Sequence, residues 1–180
     1  FAIIFIIIFS PILLIVSLAV KFDSKGPIIF KQLRLGLNGK EYYIYKFRSM
    51  IVNAESQGTG LFNYENDPRV TKVGNFIRDT SLDEIPQVFN IIKGNMSFVG
   101  PRTALWNQYD LIEERDKYKA NDINPGVTGW AQVNGRDELL IPDKAKLDGT
   151  YIEKISLWID IRLMLKTLII VFKKDGVVEG

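Results

Sequence analysis

The chain has 180 residues and a net charge of +2 at pH 7, and it contains no histidine and no cysteine. A chain of this length typically forms one domain with a substantial core. The lack of cysteine excludes disulfides, thiolate metal sites and a cysteine nucleophile, and the lack of histidine disfavours a zinc site. Proton transfer or nucleophilic attack must then rely largely on carboxylates, hydroxyls, lysine or tyrosine, and any metal should be a hard cation such as Mg²⁺.

The first 20 residues are uncharged and almost wholly aliphatic. As a helix, this segment is long enough to cross a bilayer core of about 30 Å. Ser10 and Pro11 lie at its centre, where proline removes a backbone donor and the serine hydroxyl can bond a carbonyl one turn back. The pattern is compatible with a kinked spanning helix, a re-entrant helix or a signal sequence, and by itself it favours the spanning helix.

The segment that follows predicts a β-hairpin. Its strands are Ile28 to Gln32 and Glu41 to Phe47, and Asn38-Gly39 is a two-residue turn signal. Alternation along the second strand places Lys46 and Arg48 on one face. These two cations form either an anion site or an ordinary solvated strand end. Residues 53–68 then predict a polar surface loop, with a role as a lid left open.

Two adjacent carboxylates, Asp83 and Glu84, lie in what is predicted to be the first turn of a helix that ends near Gly94. Ser81 and Glu84 match the capping-box spacing, so the acids have a plain structural interpretation as well as a catalytic one. A short helix over residues 70–78 would bring the cation of Arg78 close to them.

The second half of the chain predicts an extended run from Met96 that ends in a rigid turn presenting Arg102. A helix over residues 104–119 should carry mostly solvated charges. The glycine-rich stretch 124–136 is either a ligand-binding loop, with Trp130 as a stacking surface, or a compact connection with that ring in the core.

Two further helices are predicted over residues 143–154 and 155–174. The second has an apolar stripe containing Trp158, with basic residues beside it. This pattern suits a helix lying in a membrane interface and equally suits a core helix.

Three long motifs together resemble the bacterial sugar transferase family of monotopic phosphoglycosyl transferases. They are KFRSM (Lys46 to Met50), SLDEIPQVFNIIKGNMSFVGPR (Ser81 to Arg102) and PGVTGWAQVNGR (Pro125 to Arg136). The resemblance covers essentially the whole chain. One departure is Thr103, where many members have a second proline after the arginine.

The resemblance implies transfer of a sugar phosphate from a UDP-sugar to a polyprenyl phosphate, with release of UMP. It implies Asp83 as the nucleophile that forms a covalent phosphosugar intermediate, Glu84 as its catalytic partner, and Mg²⁺ held by both acids. Ser10 and Pro11 then mark the break of a re-entrant helix, which overrides the preference for a spanning one. The expected phosphate-binding residues are Lys46, Arg48, Arg78, Arg102 and Arg136.

The fold implied is a mostly helical α+β protein with residues 1–20 as the membrane helix and 21–180 as a catalytic domain. Its expected location is the cytoplasmic face of a bacterial inner membrane, where it would begin surface glycan synthesis. No nucleic acid partner is expected, and a homo-oligomer is compatible with the sequence. Two alternatives are a non-catalytic nucleotide-sugar sensor on the same scaffold and a membrane-anchored docking module.

Overall fold

The computed structural model describes residues 2–54, 67–135 and 138–173, which form a mostly helical α+β protein. Most of the loop predicted over residues 53–68 therefore lies outside the described residues, as does Arg136. The chain divides into two units: the first contains residues 1–31 and 45–89, and the second contains 32–44 and 90–177.

The apolar segment forms one helix, α1 (Ala2–Asp23), which continues through Pro11. Ser10 Oγ donates to the carbonyl of Ile7 at 2.9 Å, as the sequence predicts for a serine beside the proline. The helix is long and apolar enough to cross a membrane, and 11% of its most apolar 18-residue window is buried within the protein. Most of α1 is therefore not covered by the parts of the chain that the structure describes.

The predicted hairpin is present. Strand β1 spans Ile29–Leu35, and β2 spans Glu41–Phe47 as predicted. Asn38 and Gly39 both have positive φ in the turn, at 54° and 71°, as the sequence signal requires. A third strand, β4 (Ala104–Leu105), pairs antiparallel with β1.

Helix α4 begins only at Tyr109 (Tyr109–Asp116), so the predicted helix start at residue 104 is wrong. The edge of β1 offers backbone hydrogen bonds to this segment, and this pairing overrides its helical pattern.

In the first unit, α2 (Lys72–Asp79) is the predicted short helix. Its start is hydrogen-bonded to the backbone just after β2. Thr71 caps α2 with its side chain, and its backbone N–H donates to Ser49 O at 3.0 Å. A Cβ on Gly74 would lie 1.9 Å from that same carbonyl oxygen, so glycine lets α2 approach the strand. The buried core of this unit consists of Val16, Val20, Phe47 and Ile77.

The predicted helix from Ser81 is a 3₁₀ helix, Leu82–Gln87, followed by the short α3 (Val88–Ile92). Ser81 adopts a left-handed conformation with φ of 54° and makes no side-chain capping bond. The capping-box prediction is therefore wrong, because an N-cap residue normally needs an extended backbone to turn its hydroxyl onto the first turn. Gly94, with φ of 76°, follows the end of α3 as predicted.

In the second unit, β3 (Ser97–Val99) and β5 (Gly126–Thr128) form a parallel pair. A Cβ on Gly126 would lie 2.1 Å from the backbone nitrogen of Gly100, so the two backbones meet closely there. Helices α5 (Ile141–Glu153) and α6 (Leu157–Lys173) follow, as predicted. One core cluster of this unit consists of Val99, Val133, Tyr151 and Leu163.

A buried ion pair joins α4 to α5. Arg115 Nη2 lies 2.7 Å from Asp148 Oδ2, and the two side chains are 4% and 1% exposed. The guanidinium also donates to the carbonyl of Arg102 at 2.7 Å. Burial raises the pKa of Asp148, and the charge of Arg115 opposes that shift. The prediction that the charges of this helix are solvated is thus wrong for Arg115.

We expect Arg115→Gln to lower the free energy of unfolding by about 3 kcal/mol, because it leaves the Asp148 carboxylate buried without its cation. Lys117→Gln is the matched control, since Lys117 lies just beyond the same helix and pairs with Glu114 at the surface; it should leave the unfolding midpoint unchanged. Denaturant titration of both variants in detergent measures the difference. Equal midpoints would show that the buried pair contributes no net stability.

Candidate active site

The two adjacent acids lie in the first turn of the 3₁₀ helix. Asp83 is buried, with 9% of its surface exposed. Glu84 Oε1 accepts a hydrogen bond from Lys46 Nζ at 2.8 Å. The structure therefore brings together three predicted site residues from two distant motifs, KFRSM and SLDEIPQ.

The Lys46–Glu84 pair is partly shielded from water, since the two side chains are 19% and 15% exposed. Such a pair is worth more than a fully solvated one, because less solvent screens the attraction. It also fixes the direction of the Glu84 side chain. Lys46 thus holds the second of the two neighbouring acids in place.

Arg78 lies in the last turn of α2, exposed to solvent and five residues before Asp83. Its charge acts on Asp67: hydrogen bonds from Arg69 hold the pKa of Asp67 below its usual range, and the more distant Arg78 adds a smaller effect in the same direction. Arg78 is therefore an accessible cation in the unit that carries the two acids.

Arg48 has a different environment from the one predicted for it. Its side chain is 5% exposed, and it donates to the carbonyls of Val20 at 3.2 Å, Ser24 at 2.7 Å and Lys25. The carbonyl of Val20 is in the last turn of α1, and the other two are in the bend that follows the helix. The two cations predicted to act side by side thus have separate partners: Lys46 binds Glu84, and Arg48 binds the end of the apolar helix.

Arg102 belongs to the second unit, where its backbone is held by Arg115 and by a parallel bridge to Gly126. It lines a cavity of about 340 Å³ together with Pro101 and Thr103. The Thr103 hydroxyl donates to Leu35 O at 3.3 Å. The departure from the family pattern at this position thus supplies a contact that proline could not make.

The glycine-rich stretch contains β5 and a short 3₁₀ helix (Gln132–Asn134). Trp130 packs, partly buried, against the core cluster around Val99, and Lys154 Nζ lies 5.7 Å from its ring centroid. These contacts favour the interpretation of Trp130 as a core residue.

A divalent cation at this site would depend on Asp83 and Glu84. Within the described parts of the chain, no group of three or more acidic side chains is placed to hold a metal. Mg²⁺ is commonly bound by one or two carboxylates, with substrate phosphates and water completing its shell. The adjacent pair fits that mode of binding.

The sequence signal for two contacts was missed. Asp23 Oδ2 accepts from the N–H of Val73 at 3.1 Å, which ties the end of α1 to the start of α2. Gly26, in the bend that follows α1, lies against the Arg48 guanidinium. Asp23 ends an apolar helix and Gly26 follows it. The last carbonyls of one helix need donors and the first N–H groups of the next need acceptors, and this is the signal that could have indicated both contacts.

Comparison with known protein families identifies the family of this chain. The profile of the bacterial sugar transferase family matches residues 1–174, which include both acids, Lys46 and the α1 helix. The chain belongs to the bacterial sugar transferase family.

Three relatives in this family illustrate the range of similarity. The UDP-glucose:undecaprenyl-phosphate glucose-1-phosphate transferase of Escherichia coli K12 is 44% identical over 91% of the chain and 36% of its own length. The undecaprenyl-phosphate galactose phosphotransferase of Salmonella typhimurium LT2 is 37% identical over 97% of the chain and 39% of its own length. The uncharacterized sugar transferase EpsL of Bacillus subtilis 168 is 37% identical over 93% of the chain and 81% of its own length.

The chain thus spans less than two fifths of the first two of these relatives and most of the third. The matched part is the same in each case, namely nearly all of this chain. The sugar transferase region is therefore the part that these proteins share.

The contact between Lys46 and Glu84 should be measurable as an interaction energy. We expect a double-mutant cycle with Lys46→Met and Glu84→Gln to give a coupling of about 1 kcal/mol in the free energy of unfolding, decreasing as salt is added. The more exposed Glu114–Lys117 pair is the control and should couple less strongly. A Lys46–Glu84 coupling no larger than that of the control would contradict the shielded ion pair.

Proposed function

We propose that this chain transfers a sugar phosphate from a UDP-sugar to a membrane polyprenyl phosphate, giving a polyprenyl diphosphate sugar and UMP. The observation that carries the proposal is the buried Asp83 beside a Glu84 that is oriented by Lys46. Membership of the sugar transferase family supports it, as do the activities for which the Escherichia coli and Salmonella relatives are named.

In the first step, a carboxylate oxygen of Asp83 attacks the phosphorus that bears the sugar. A new oxygen–phosphorus bond forms, and the bond from that phosphorus to the oxygen bridging the two phosphates breaks. UMP leaves with the bonding electron pair. The burial of Asp83 favours this role, because a poorly hydrated carboxylate has less water to shed before it attacks.

In the second step, a phosphate oxygen of the polyprenyl phosphate attacks the same phosphorus, and the bond to Asp83 breaks. The carboxylate is thereby regenerated. Because the two substrates react in turn, one set of residues can serve both a soluble nucleotide sugar and a membrane-bound acceptor.

Asp83 and Glu84 are the residues that would hold Mg²⁺. When bound, the ion would neutralise charge on the diphosphate and on the departing UMP. Lys46 orients Glu84 for this purpose and adds a positive charge near the phosphates. Arg78, Arg102 and Arg136 remain the proposed phosphate-binding arginines, and Arg78 is exposed in the same unit as the acids.

The membrane part of the proposal is that α1 is re-entrant, so that both of its ends lie on the cytoplasmic face of the inner membrane. The proposed break is at Pro11, in the middle of α1, which the structure describes as one continuous helix with the Ser10 hydroxyl donating to the carbonyl of Ile7. Helix α6 would lie in the membrane interface. One side of α6 packs on the core through Leu163, whereas Trp158, Leu165 and Leu168 are exposed on the other.

Release of UMP tests the reaction. With Mg²⁺, undecaprenyl phosphate and a panel of UDP-sugars, purified protein should release UMP with one or two of the sugars. Asp83→Asn should lower the rate by more than about 1,000-fold, because an amide is not a nucleophile toward phosphorus. Chelation with EDTA should stop release, and added Mg²⁺ should restore it.

Asp110→Asn provides the control for this measurement, since it makes the same chemical change on an exposed residue in the first turn of α4. Its rate should equal that of the wild type. A folded wild-type protein that releases no UMP from any sugar would instead favour the sensor or docking hypotheses. Unimpaired release by Asp83→Asn would remove this residue from the role of nucleophile.

Re-entrance has its own test, made simple by the absence of cysteine. Single cysteines introduced by Ile3→Cys and Phe22→Cys, near the two ends of α1, should both react with a membrane-impermeant maleimide added from the cytoplasmic side of inverted vesicles. Labelling of the Ile3→Cys variant only from the opposite side would identify a spanning helix.

A further inference from the structure

Arg48 occupies a site built from the end of α1. Its terminal nitrogens donate to the carbonyls of Val20, Ser24 and Lys25, and its side chain is almost wholly buried. The last carbonyls of a helix lack partners within the helix and carry its negative partial charge. The guanidinium bonds one of them, the carbonyl of Val20, together with two carbonyls of the bend that follows α1, because its donors form a rigid planar fork.

Gly26 is shaped to admit this guanidinium. A Cβ at this position would lie 2.0 Å from Arg48 Nη1, closer than any real contact, and the backbone has φ of +130°. An alanine here would both strain the backbone and displace the guanidinium. The buried position of the arginine therefore depends on the glycine, although 22 positions separate them in sequence.

Two contacts within the first unit connect Arg48 and the end of α1 to the segments that flank the two acids. Arg48 follows two residues after Lys46, which binds Glu84. Asp23, the last residue of α1, accepts a hydrogen bond from Val73 in the first turn of α2, the helix that ends just before Ser81 and Asp83. The end of α1 is thus connected to both sides of the carboxylate pair.

We propose that Arg48, seated against Gly26, is a positioning residue that sets where the polar end of α1 lies relative to Asp83 and Glu84, and so governs access of the membrane-bound acceptor to the phosphosugar. This inference rests on the proposed function. It assigns Arg48 a role through α1 in place of the phosphate-binding role predicted from the sequence.

The two half-reactions separate this role from phosphate binding. The UDP-sugar reaches the acids from water and does not depend on the seating of α1. The polyprenyl phosphate is held by the bilayer, so a displaced α1 changes its distance from Asp83, and a misplacement of about 1 Å can cost about 100-fold in rate.

The decisive variants are Arg48→Gln, which removes the charge, and Gly26→Ala, which keeps the charge and displaces it. Both should exchange labelled UMP into UDP-sugar, without any lipid acceptor, at rates within about threefold of wild type. Both should form polyprenyl product in nanodiscs containing undecaprenyl phosphate at least about tenfold more slowly. Arg48→Lys should fall between them and the wild type, because a single ammonium cannot reach all three carbonyls.

Gly94→Ala is the matched control, because Gly94 also has a positive φ, of +76°, but has open space where a Cβ would lie. Its effects on both half-reactions should be small and equal. A nitroxide on the single cysteine of Phe22→Cys, an exposed position in the last turn of α1, reports the seating of the helix directly. The nitroxide should gain mobility when combined with Arg48→Gln or Gly26→Ala, and not with Gly94→Ala.

Three outcomes would overturn the proposal. Loss of UMP exchange in Arg48→Gln with full exchange in Gly26→Ala would make Arg48 a phosphate ligand. Equal losses in both half-reactions would indicate general destabilisation. Unchanged nitroxide mobility in both variants would show that α1 does not depend on Arg48, and this result is informative even if the wild type transfers no sugar phosphate at all.

Discussion

The constraint on which the first unit depends is the set of backbone carbonyls left at the end of an apolar helix. Such groups cannot remain buried without donors. The chain satisfies them with the side chain of Arg48, which directly follows the strand that carries Lys46. This contact brings the KFRSM segment against α1. The backbone just after the strand, at Ser49, then accepts a hydrogen bond from Thr71 at the start of α2.

This arrangement gives the two acids a rigid setting without a long helix beneath them. They lie in a 3₁₀ turn that is entered through a left-handed serine. Their position is fixed from outside the turn, by Lys46 on one side and by α2 on the other. In such a site, contacts between separate segments of the chain position the functional side chains, and no single long helix or strand does so.

Local patterns predicted the elements whose signals are local. Strand β2, the Asn38-Gly39 turn and the two last helices follow from alternation, turn chemistry and helical spacing, and the structure has them where expected. The acidic pair could be identified from the sequence because Asp83 and Glu84 are neighbours in the chain. The contact of Lys46 with Glu84 was not predicted, since no periodicity links residues so far apart; the resemblance implied only that Lys46 binds phosphate in the same site.

The predictions that failed are those in which a distant partner decides. Residues 104 and 105 pair with β1 instead of beginning a helix. Arg115 is buried because it forms an ion pair with Asp148 on another helix. Arg48 had the sequence pattern of a strand cation, and its partners are carbonyls more than 20 residues earlier. Tertiary contacts decide which donors satisfy the backbone carbonyls at the end of a helix or strand, and a short window of sequence does not show them.

The close approach of Gly126 to Gly100 has a consequence for how the second unit assembles. The parallel strands that meet there are separated in sequence by β4 and α4. Their pairing requires closure of that whole intervening loop before any ladder hydrogen bond is gained, and contacts of this kind form slowly. Arg102 lies near the start of that segment and bridges to Gly126 just beyond its end, so we expect the backbone of this arginine to reach its final geometry only when the segment closes, later than the local helices.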